Sequence, residues 1–274
     1  MSDTNCNHQC ASCGVEGCSA RTEIAKLKTN EMTSIKKTIA IISGKGGVGK
    51  SLVTSLLAKE LTEKGYKAGI LDADVTGPSI PKAFGILGMA EADEHGIYPR
   101  KSKKGVAIMS VNLLLPDAGD PVLWRGPLIA GLVGQMYTDV YYGELDYLLI
   151  DMPPGTGDVP LTVFQQIPVN AAIIVTSPQD LVSLIVGKSI RMALDMNVPL
   201  LGVVTNMAYM RCPHCNERID IYGEGRARIA ATFGLPALDE LPIDPLLAAS
   251  IDRGSLEDYE GQLLKETVEA VEKI

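Results

Sequence analysis

A glycine-rich loop between a strand pattern and a helix pattern constrains the fold of this chain more than any other feature. The loop is GKGGVGKS (44–51), which fits G-x-x-x-x-G-K-[ST], a pattern whose backbone N–H groups surround phosphates. Before it stands KTIAIIS (37–43), a continuous apolar run typical of a strand buried on both faces of a parallel sheet. After it, residues 51–65 have helical spacing and end at a glycine. This order predicts a phosphate-binding loop at a helix N-terminus.

The remainder of the chain alternates between strand and helix patterns. Buried strands are predicted in four further apolar runs, at 67–72, 146–151, 171–177 and 199–207. Helices are predicted at 177–197, in GEGRARIAATFG and in the closing segment 255–274, with PALDELP as a short edge strand. Such alternation predicts βαβ units in a mainly parallel sheet flanked by helices. The expected fold is therefore an α/β P-loop NTPase domain at residues 36–274, preceded by a short cysteine-rich arm at residues 1–35.

Cysteine usage and charge limit the class of function. The six cysteines are Cys6, Cys10, Cys13, Cys18, Cys212 and Cys215. The N-terminal segment lacks the apolar region of a secretory signal, and no apolar run reaches the roughly 18 residues of a membrane span, so we expect a cytoplasmic protein. Because thiols stay reduced there, the cysteines are expected to bind metal or to act in redox chemistry. The net charge of −8 disfavours nonspecific binding to nucleic acid or to an anionic membrane.

Five polar residues near the predicted strand ends suit phosphoryl transfer. Lys50 is expected to reach the β- and γ-phosphates, and the Ser51 hydroxyl is expected to bind Mg²⁺. Asp72 and Asp74 end the second predicted strand and point the same way, since they are two positions apart on an extended chain. Asp151 ends the strand DYLLID, where a carboxylate can hold the water shell of Mg²⁺. A helix cap is the alternative interpretation of a single aspartate after a strand.

A second lysine in the loop indicates a narrower class. Lys45 resembles the signature lysine of the deviant Walker A ATPases, which include the Min and Par positioning ATPases, the nitrogenase iron protein and the Mrp/ApbC-type iron–sulfur carriers. In that family the lysine crosses a dimer interface to the phosphates on the opposite subunit. The resemblance therefore implies a homodimer that encloses two nucleotides. A solvated loop lysine is the alternative interpretation.

The same resemblance implies roles for individual residues. Asp74 would orient the attacking water, Lys45 and Lys50 would be the catalytic cations, and Asp151 would be the Walker B carboxylate. Asn206 matches the position that hydrogen-bonds the adenine edge, although asparagine is also common in turns. The expected nucleotide-binding residues are Gly44, Lys45, Gly46, Gly47, Val48, Gly49, Lys50, Ser51, Asp72, Asp151 and Asn206.

The close cysteine pair distinguishes among these relatives. CPHC (212–215) is similar to the C-P-x-C pair of the Mrp/ApbC family, and WRGP (124–127), DMPPGTGD and SPQDL (177–181) also resemble its segments. In that family the paired cysteines of two subunits hold one [4Fe–4S] cluster, which needs four thiolates. The resemblance implies a carrier that uses ATP and Mg²⁺ and passes its cluster to apo iron–sulfur proteins. Zinc, with His214 or His8 as an added ligand, and a redox pair remain alternatives.

Three further interpretations stay open at this stage. The cysteines at 6, 10, 13 and 18 can wrap a second cluster or a zinc ion, or form a metal-scavenging tail. A Min- or Par-type positioning ATPase should carry a basic amphipathic helix or a basic face, whereas the closing segment is acidic and RKSKKG (100–105) is expected to be a solvated hairpin turn. An electron-transfer protein that resembles the nitrogenase iron protein should take widely separated cysteines from two loops.

Overall fold

Strands and helices alternate along the described part of the chain. The computed structural model describes residues 25–75, 79–94, 96–115, 126–178, 182–221 and 228–274. The strands are β1 (Ser34–Ile42), β2 (Ala68–Asp72), β3 (Glu91–Asp93), β4 (Gly96–Tyr98), β5 (Arg100–Lys101), β6 (Ala107–Ser110), β7 (Glu144–Asp151), β8 (Ala171–Thr176), β9 (Leu200–Arg211), β10 (Arg218–Ile219) and β11 (Ala237–Pro242). The helices are α1 (Lys50–Glu63), α2 (Ile80–Ala83), α3 (Gly126–Thr138), α4 (Asp158–Gln166), α5 (Val182–Asp195), α6 (Arg228–Phe233), α7 (Pro245–Asp252) and α8 (Lys265–Glu272).

Nine of these strands form one sheet. Hydrogen-bonded neighbours follow the order β10-β9-β8-β1-β7-β2-β6-β5, and β11 pairs with β9. The pairs of β1, β2, β7 and β8 are parallel, as is that of β9 with β11, whereas β5 and β10 join antiparallel to β6 and β9. Since parallel strands end at the same edge, the carboxyl ends of β1, β2, β7 and β9 come together. The predicted mainly parallel α/β sheet is confirmed.

Apolar side chains pack on both faces of the sheet. In β1, Ala40 and Ile42 contribute to a cluster with α3, α4 and α5, whereas Ile39 and Ile41 contribute to a cluster with α1, α7 and α8. All four residues are at most 2% exposed. Burial on both faces is the reason that the strand sequences are continuous apolar runs.

The closing segment differs from its prediction as one long helix. Leu256–Asp258 form a short 3₁₀ turn, and α8 spans only Lys265–Glu272. The buried carboxylate of Glu60 accepts hydrogen bonds from the backbone N–H groups of Leu263 and Leu264 at 2.7 and 3.2 Å. This contact uses the backbone donors just before α8, so the predicted continuous helix is wrong.

The predicted hairpin turn at 100–105 is confirmed, with one difference. β5 and β6 pair antiparallel around it. However, Ser102 is buried rather than solvated, because its hydroxyl donates to the Glu257 carboxylate at 2.6 Å. The turn is therefore attached to the C-terminal segment as well as to its own strands.

The chain already contacts the domain before β1. Lys26 Nζ donates to the carbonyl of Phe164 at 2.7 Å, and the backbone N–H of Leu27 donates to the carbonyl of Gln166 at 2.7 Å, both at the C-terminal end of α4. The division at residue 35 stays a prediction. The N-terminal cysteines at 6, 10, 13 and 18 lie outside the described residues. Among the described helices, none has both the length and the apolar character needed to cross a membrane.

Candidate nucleotide site and cysteine hairpin

The glycine-rich loop lies between β1 and α1 at the carboxyl edge of the sheet. Gly47 and Gly49 have φ angles of 77° and 82°, a backbone region that favours residues without a Cβ. The loop lines a cavity of about 390 Å³ together with Asp74, Pro154 and Ile251. Since α1 begins at Lys50, its N-terminus, which carries partial positive charge, lies beside the cavity. The predicted strand–loop–helix arrangement for binding phosphates is present.

Gly44 has a packing role that its motif does not reveal. A Cβ at this position would lie 2.5 Å from the backbone nitrogen of Val186 and 2.8 Å from the carbonyl carbon of Ile185. Both atoms belong to the backbone of α5, which a side chain could not displace locally. The first glycine of the loop therefore permits direct contact with α5.

Asp151 is the centre of a buried polar network beneath the loop. It ends β7 and is 0% exposed. Its Oδ2 lies 2.7 Å from Lys50 Nζ and accepts a hydrogen bond from Ser51 Oγ at 2.6 Å. Its Oδ1 accepts a hydrogen bond from Thr54 Oγ1 at 2.6 Å. A carboxylate removed from water needs such partners, so Lys50, Ser51 and Thr54 together stabilise it.

Asp72 and Asp74 occupy different environments although they are close in sequence. Asp72 is 1% exposed, and its carboxylate accepts hydrogen bonds from Ser110 Oγ at 3.0 Å and from the backbone N–H of Asp74 at 3.2 Å. Burial and, secondarily, the charge of Asp151 raise the pKa of Asp72 to about 8. Asp74 lines the cavity, with Oδ2 3.7 Å from Lys50 Nζ. The structure thus places Asp74 at the cavity and Asp72 within the sheet beneath it.

Lys45 and Asn206 also lie beside the loop. Lys45 lines the cavity and is half-buried, and its carbonyl accepts a hydrogen bond from Ser43 Oγ at 3.2 Å. Asn206 is 2% exposed, and its side-chain amide donates to the carbonyl of Val48 at 3.0 Å. The predicted contact of Lys45 with a second subunit and the predicted base recognition by Asn206 stay predictions.

Both cysteines of the CPHC segment lie in the turn between β9 and β10. The turn is closed by hydrogen bonds from the N–H of Cys212 to the carbonyl of Glu217 and from the N–H of Asn216 to the carbonyl of Cys212, each at 2.9 Å. Cys212 is half-buried and Cys215 is exposed. The backbone N–H groups of Cys215 and His214, followed by the Cys215 side chain, lower the pKa of the Cys212 thiol by hydrogen bonding. The turn therefore favours the thiolate, the form that binds metals.

The cysteine pair lacks further ligands from the described part of its own chain. Among the residues that the structure describes, no three His, Cys, Asp or Glu side chains lie close enough together to hold a metal ion. His214 consequently does not complete a zinc site with Cys212 and Cys215, and His8 lies outside the described residues. The pair offers two of the four ligands that a tetrahedral thiolate site requires.

Comparison with known proteins identifies the family. A family model described as ParA: NUBPL iron-transfer P-loop NTPase matches residues 34–274. The chain belongs to this family. It is accordingly an ATPase of the P-loop class, as its loop and Asp151 predict.

Relatives of this iron-transfer NTPase share most of its length. It is 45% identical over 260 residues to the iron-sulfur cluster carrier protein of Clostridium perfringens, which covers 92% of this chain and 91% of that protein. It is 48% identical over 233 residues to the iron-sulfur cluster carrier protein of Methanocaldococcus jannaschii, with 84% and 80% of the two chains covered. The predicted resemblance to iron–sulfur carriers is thereby confirmed.

Solved structures agree with this assignment. A nucleotide-binding protein of Archaeoglobus fulgidus in complex with ADP superposes with a TM-score of 0.74 at 45% identity, covering 83% of this chain and 90% of that chain. The septum site-determining protein MinD of Pyrococcus horikoshii, complexed with Mg-ADP, has a TM-score of 0.57 at 21% identity, covering 88% and 96%. At that identity the likeness to MinD shows the fold alone.

Sequence reasoning missed two residues of the NTPase site, Thr54 and Ser110. Both are 0% exposed and each donates its hydroxyl proton to a site carboxylate, Thr54 to Asp151 and Ser110 to Asp72. The local sequence marks neither hydroxyl, because each partner lies in an element distant along the chain, Asp151 in β7 and Asp72 in β2.

Proposed function

We propose that this ATPase is a homodimeric iron–sulfur cluster carrier in which Cys212 and Cys215 of two subunits hold one [4Fe–4S] cluster and pass it to apo-proteins. The observation that carries the proposal is the cysteine turn. It favours a thiolate at Cys212, yet the described part of its own chain supplies only two ligands. A second copy contributes the other two thiolates that such a cluster requires. Two relatives named iron-sulfur cluster carrier protein, at 45% and 48% identity, support this function.

The nucleotide site suits ATP with Mg²⁺. Ser51 Oγ and the Asp151 carboxylate are hard oxygen donors of the kind that Mg²⁺ prefers, and they lie 2.6 Å apart beside the cavity. Ser51 would hold the ion directly and Asp151 through water. When bound, Mg²⁺ would neutralise charge on the phosphate oxygens. The remaining phosphate contacts come from the backbone of residues 44–49 and from Lys50.

Hydrolysis depends on side chains that already lie at the cavity. Asp74 accepts a hydrogen bond from the attacking water and so orients it toward the γ-phosphate. Lys50, which is 5% exposed and close to both Asp74 and Asp151, stabilises the negative charge on the phosphates. Lys45 adds a second cation from the partner subunit, as the family resemblance implies. The side chain of Asp72 accepts a hydrogen bond from the backbone N–H of Asp74 and so helps to position that residue.

The segment DMPPGTGD (151–158), which begins at the end of β7, resembles the second switch of the family and relates the nucleotide to the dimer. Gly155, with φ of 86°, donates its N–H to the carbonyl of Ser43 at 2.9 Å, just ahead of the glycine-rich loop. Loss of the γ-phosphate releases segments of this kind and so changes the surface that one subunit presents to its dimer partner. The cytoplasm, where thiols stay reduced, is the compartment consistent with this chemistry.

Anaerobic reconstitution with iron and sulfide tests the proposal. The wild-type protein should take up one [4Fe–4S] cluster per dimer through residues 212 and 215, detected by Mössbauer spectroscopy and by iron and sulfide analysis. The Cys212→Ala/Cys215→Ala variant should lose that cluster but still bind ADP. Because the N-terminal cysteines can also take up iron, the comparison is repeated in a chain whose cysteines at 6, 10, 13 and 18 are alanine. Unchanged cluster content in the double variant of that chain would contradict the proposal.

A further inference from the structure

Strand β9 connects the nucleotide site to the cysteine turn. Near its centre, the side-chain amide of Asn206 donates to the carbonyl of Val48 in the glycine-rich loop at 3.0 Å. At its end, Arg211 directly precedes Cys212. Any displacement of Asn206 must therefore be absorbed between residues 206 and 212 or reach the cysteines.

The strand is irregular between these two points. Thr205 pairs with Glu240 and Tyr209 with Pro242, so four steps along β9 (205 to 209) oppose two steps along β11 (240 to 242). Within this bulge Met207 has a φ of 56°, in the left-handed region. A residue with a Cβ adopts that region at a cost in free energy, and such strain persists only where the surroundings impose it. The strain is located between Asn206 and the cysteine turn.

Contacts on both sides hold the bulge in place. On the nucleotide side, Asn206 is 2% exposed and bound to the loop. On the cysteine side, the carbonyl of Tyr209 accepts the N–H of Ile243 at 2.7 Å. Met207 itself is half-buried. The left-handed residue thus separates two fixed segments, as a hinge position does.

Arg218 forms a second connection across the same bulge. One of its guanidinium nitrogens lies 2.7 Å from Glu240 Oε2, and its guanidinium carbon lies 4.0 Å from the ring centre of Tyr209. Glu240 pairs with Thr205 on the nucleotide side, whereas Tyr209 lies on the cysteine side. With both side chains of the ion pair only about one-third exposed (34% and 29%), Arg218 holds the cysteine hairpin against β11.

β11 also leads to the cavity. It is followed by Asp244, whose carboxylate caps the N-terminus of α7 through the N–H groups of Leu246 and Leu247. Ile251 of α7 lines the nucleotide cavity. The hairpin therefore has two physical connections to the nucleotide site, one along β9 through Met207 and one through Arg218, β11 and α7.

We propose that Met207 and Arg218 are positioning residues that couple occupancy of the nucleotide cavity to the placement of Cys212 and Cys215. The inference rests on the proposed function, because it takes the cysteine pair as the cluster site. Movement of the glycine-rich loop at Val48 displaces Asn206, and the strained backbone at Met207 and the Arg218 bridge carry that displacement to the hairpin. By linkage, cluster binding changes nucleotide affinity by the same factor as nucleotide binding changes cluster affinity.

The affinity for ADP, measured by calorimetry on the apo and the anaerobically reconstituted dimer, tests this coupling. The two wild-type affinities should differ by about fivefold or more, the usual lower range of allosteric coupling. Met207→Gly, which removes the Cβ that makes φ of 56° costly, should bring the ratio of affinities close to one. Met207→Ala is the matched control, since it shortens the side chain but keeps the Cβ, and its ratio should stay near that of the wild type.

A second series addresses Arg218 independently. Arg218→Ala should reduce the ratio, and Arg218→Lys, which retains a cation for Glu240, should restore part of it. Arg100→Ala removes a longer and more exposed ion pair, 3.4 Å from Glu91, at the opposite edge of the sheet and should leave the ratio unchanged. Iron content and thermal unfolding, measured on every variant, separate a change in coupling from a loss of cluster or of fold.

Three results would overturn the coupling. The first is an equal ratio of ADP affinities in Met207→Gly and Met207→Ala. The second is a ratio of one in the fully loaded wild type. The third is a ratio in Arg218→Ala that is identical to the ratio in Arg100→Ala. If the wild type took up no cluster at Cys212 and Cys215, the proposed function would fail, and the coupling with it. If the wild type took up the cluster at these cysteines but bound ADP equally well with and without it, only the coupling would be refuted.

Discussion

Thr54 Oγ1 lies 2.6 Å from Oδ1 of Asp151, while Lys50 and Ser51 contact the other carboxylate oxygen, Oδ2. The hydroxyl of Thr54 therefore holds Oδ1 in place, and this fixes the orientation of Oδ2 toward Ser51. Because Asp151 is 0% exposed, water does not replace a donor that is removed. This contact makes Thr54 part of the polar network beneath the glycine-rich loop.

Replacing Thr54 by valine should impair hydrolysis more than nucleotide binding. The isosteric side chain removes one donor from a buried carboxylate, a change that costs about 1–3 kcal/mol. We expect kcat for ATP to fall roughly tenfold, with KM changed less, because the geometry of Asp151 matters most in the transition state. Thr54→Ser, which keeps the hydroxyl, should recover most of the rate. Equal kcat in the valine and serine variants would rule out this role.

Lys50 should be required for both stability and nucleotide binding. Its ammonium is the cation that lies 2.7 Å from the buried Asp151 carboxylate. Lys50→Ala leaves that charge without its cation, which destabilises a protein by about 3–5 kcal/mol when a buried pair is broken. Urea unfolding and ADP calorimetry measure the two effects. Adding Asp151→Asn to Lys50→Ala should restore stability but not binding, whereas restored binding would contradict the assignment of Lys50 to the phosphates.

Lys45 should affect hydrolysis without affecting the fold. The residue is half-buried and lines the cavity. Lys45→Ala should therefore bind ATP with about wild-type affinity and lose at least about 100-fold in kcat, as expected for a cation that stabilises phosphoryl transfer. ATP turnover and nucleotide calorimetry on the same preparation provide the test. Normal turnover in this variant would remove the reason to expect a dimer that encloses two nucleotides.

Two glycines of the loop should differ in their tolerance of alanine. At Gly44 a Cβ would lie 2.5 Å from the backbone of α5, whereas at Gly46 the nearest atom is Pro154 Cγ at 3.9 Å. Gly44→Ala should lower the free energy of unfolding by about 1–3 kcal/mol, a typical cost of overpacking, and should weaken ADP binding. Gly46→Ala should leave stability within about 0.5 kcal/mol of the wild type, since it fills open space at the surface. Denaturant unfolding measures the free energy of unfolding of both variants. Equal losses of stability in the two would contradict this prediction.

Asp72 should make stability fall as pH rises in the absence of nucleotide and Mg²⁺. Burial raises its pKa from 3.8 to about 8, so in this interval the folded chain holds a proton that the unfolded chain releases. The free energy of unfolding then decreases with increasing pH between these values. Asp72→Asn remains neutral and should lose less stability than the wild type between pH 5 and pH 8, as measured by urea unfolding. Parallel pH profiles for the two proteins would show that Asp72 does not hold the proton.

Local patterns account for the elements that the sequence predicted correctly. The glycine-rich loop is set by glycine φ angles and by the helix that begins at Lys50, and both depend on adjacent residues. The central strands were identified because burial on both faces requires continuous apolar runs. The closing segment was predicted wrongly because the carboxylate of Glu60, far away in sequence, binds the backbone N–H groups of Leu263 and Leu264.

The sequence by itself determined the P-loop fold, the place of Asp151 at a strand end and the presence of a cysteine pair, since each depends on the order of neighbouring residues. Tertiary structure alone decided which side chains meet. Thr54 and Asp151 lie 97 residues apart, and Arg218 and Glu240 lie 22 apart. The packing of α1 against β7 sets the first contact, and the pairing of β10 and β11 with β9 sets the second. The register shift between β9 and β11 likewise places the strained backbone of Met207. The physical reason is that hydrogen-bond geometry across strands depends on packing, which no local pattern of residue types specifies.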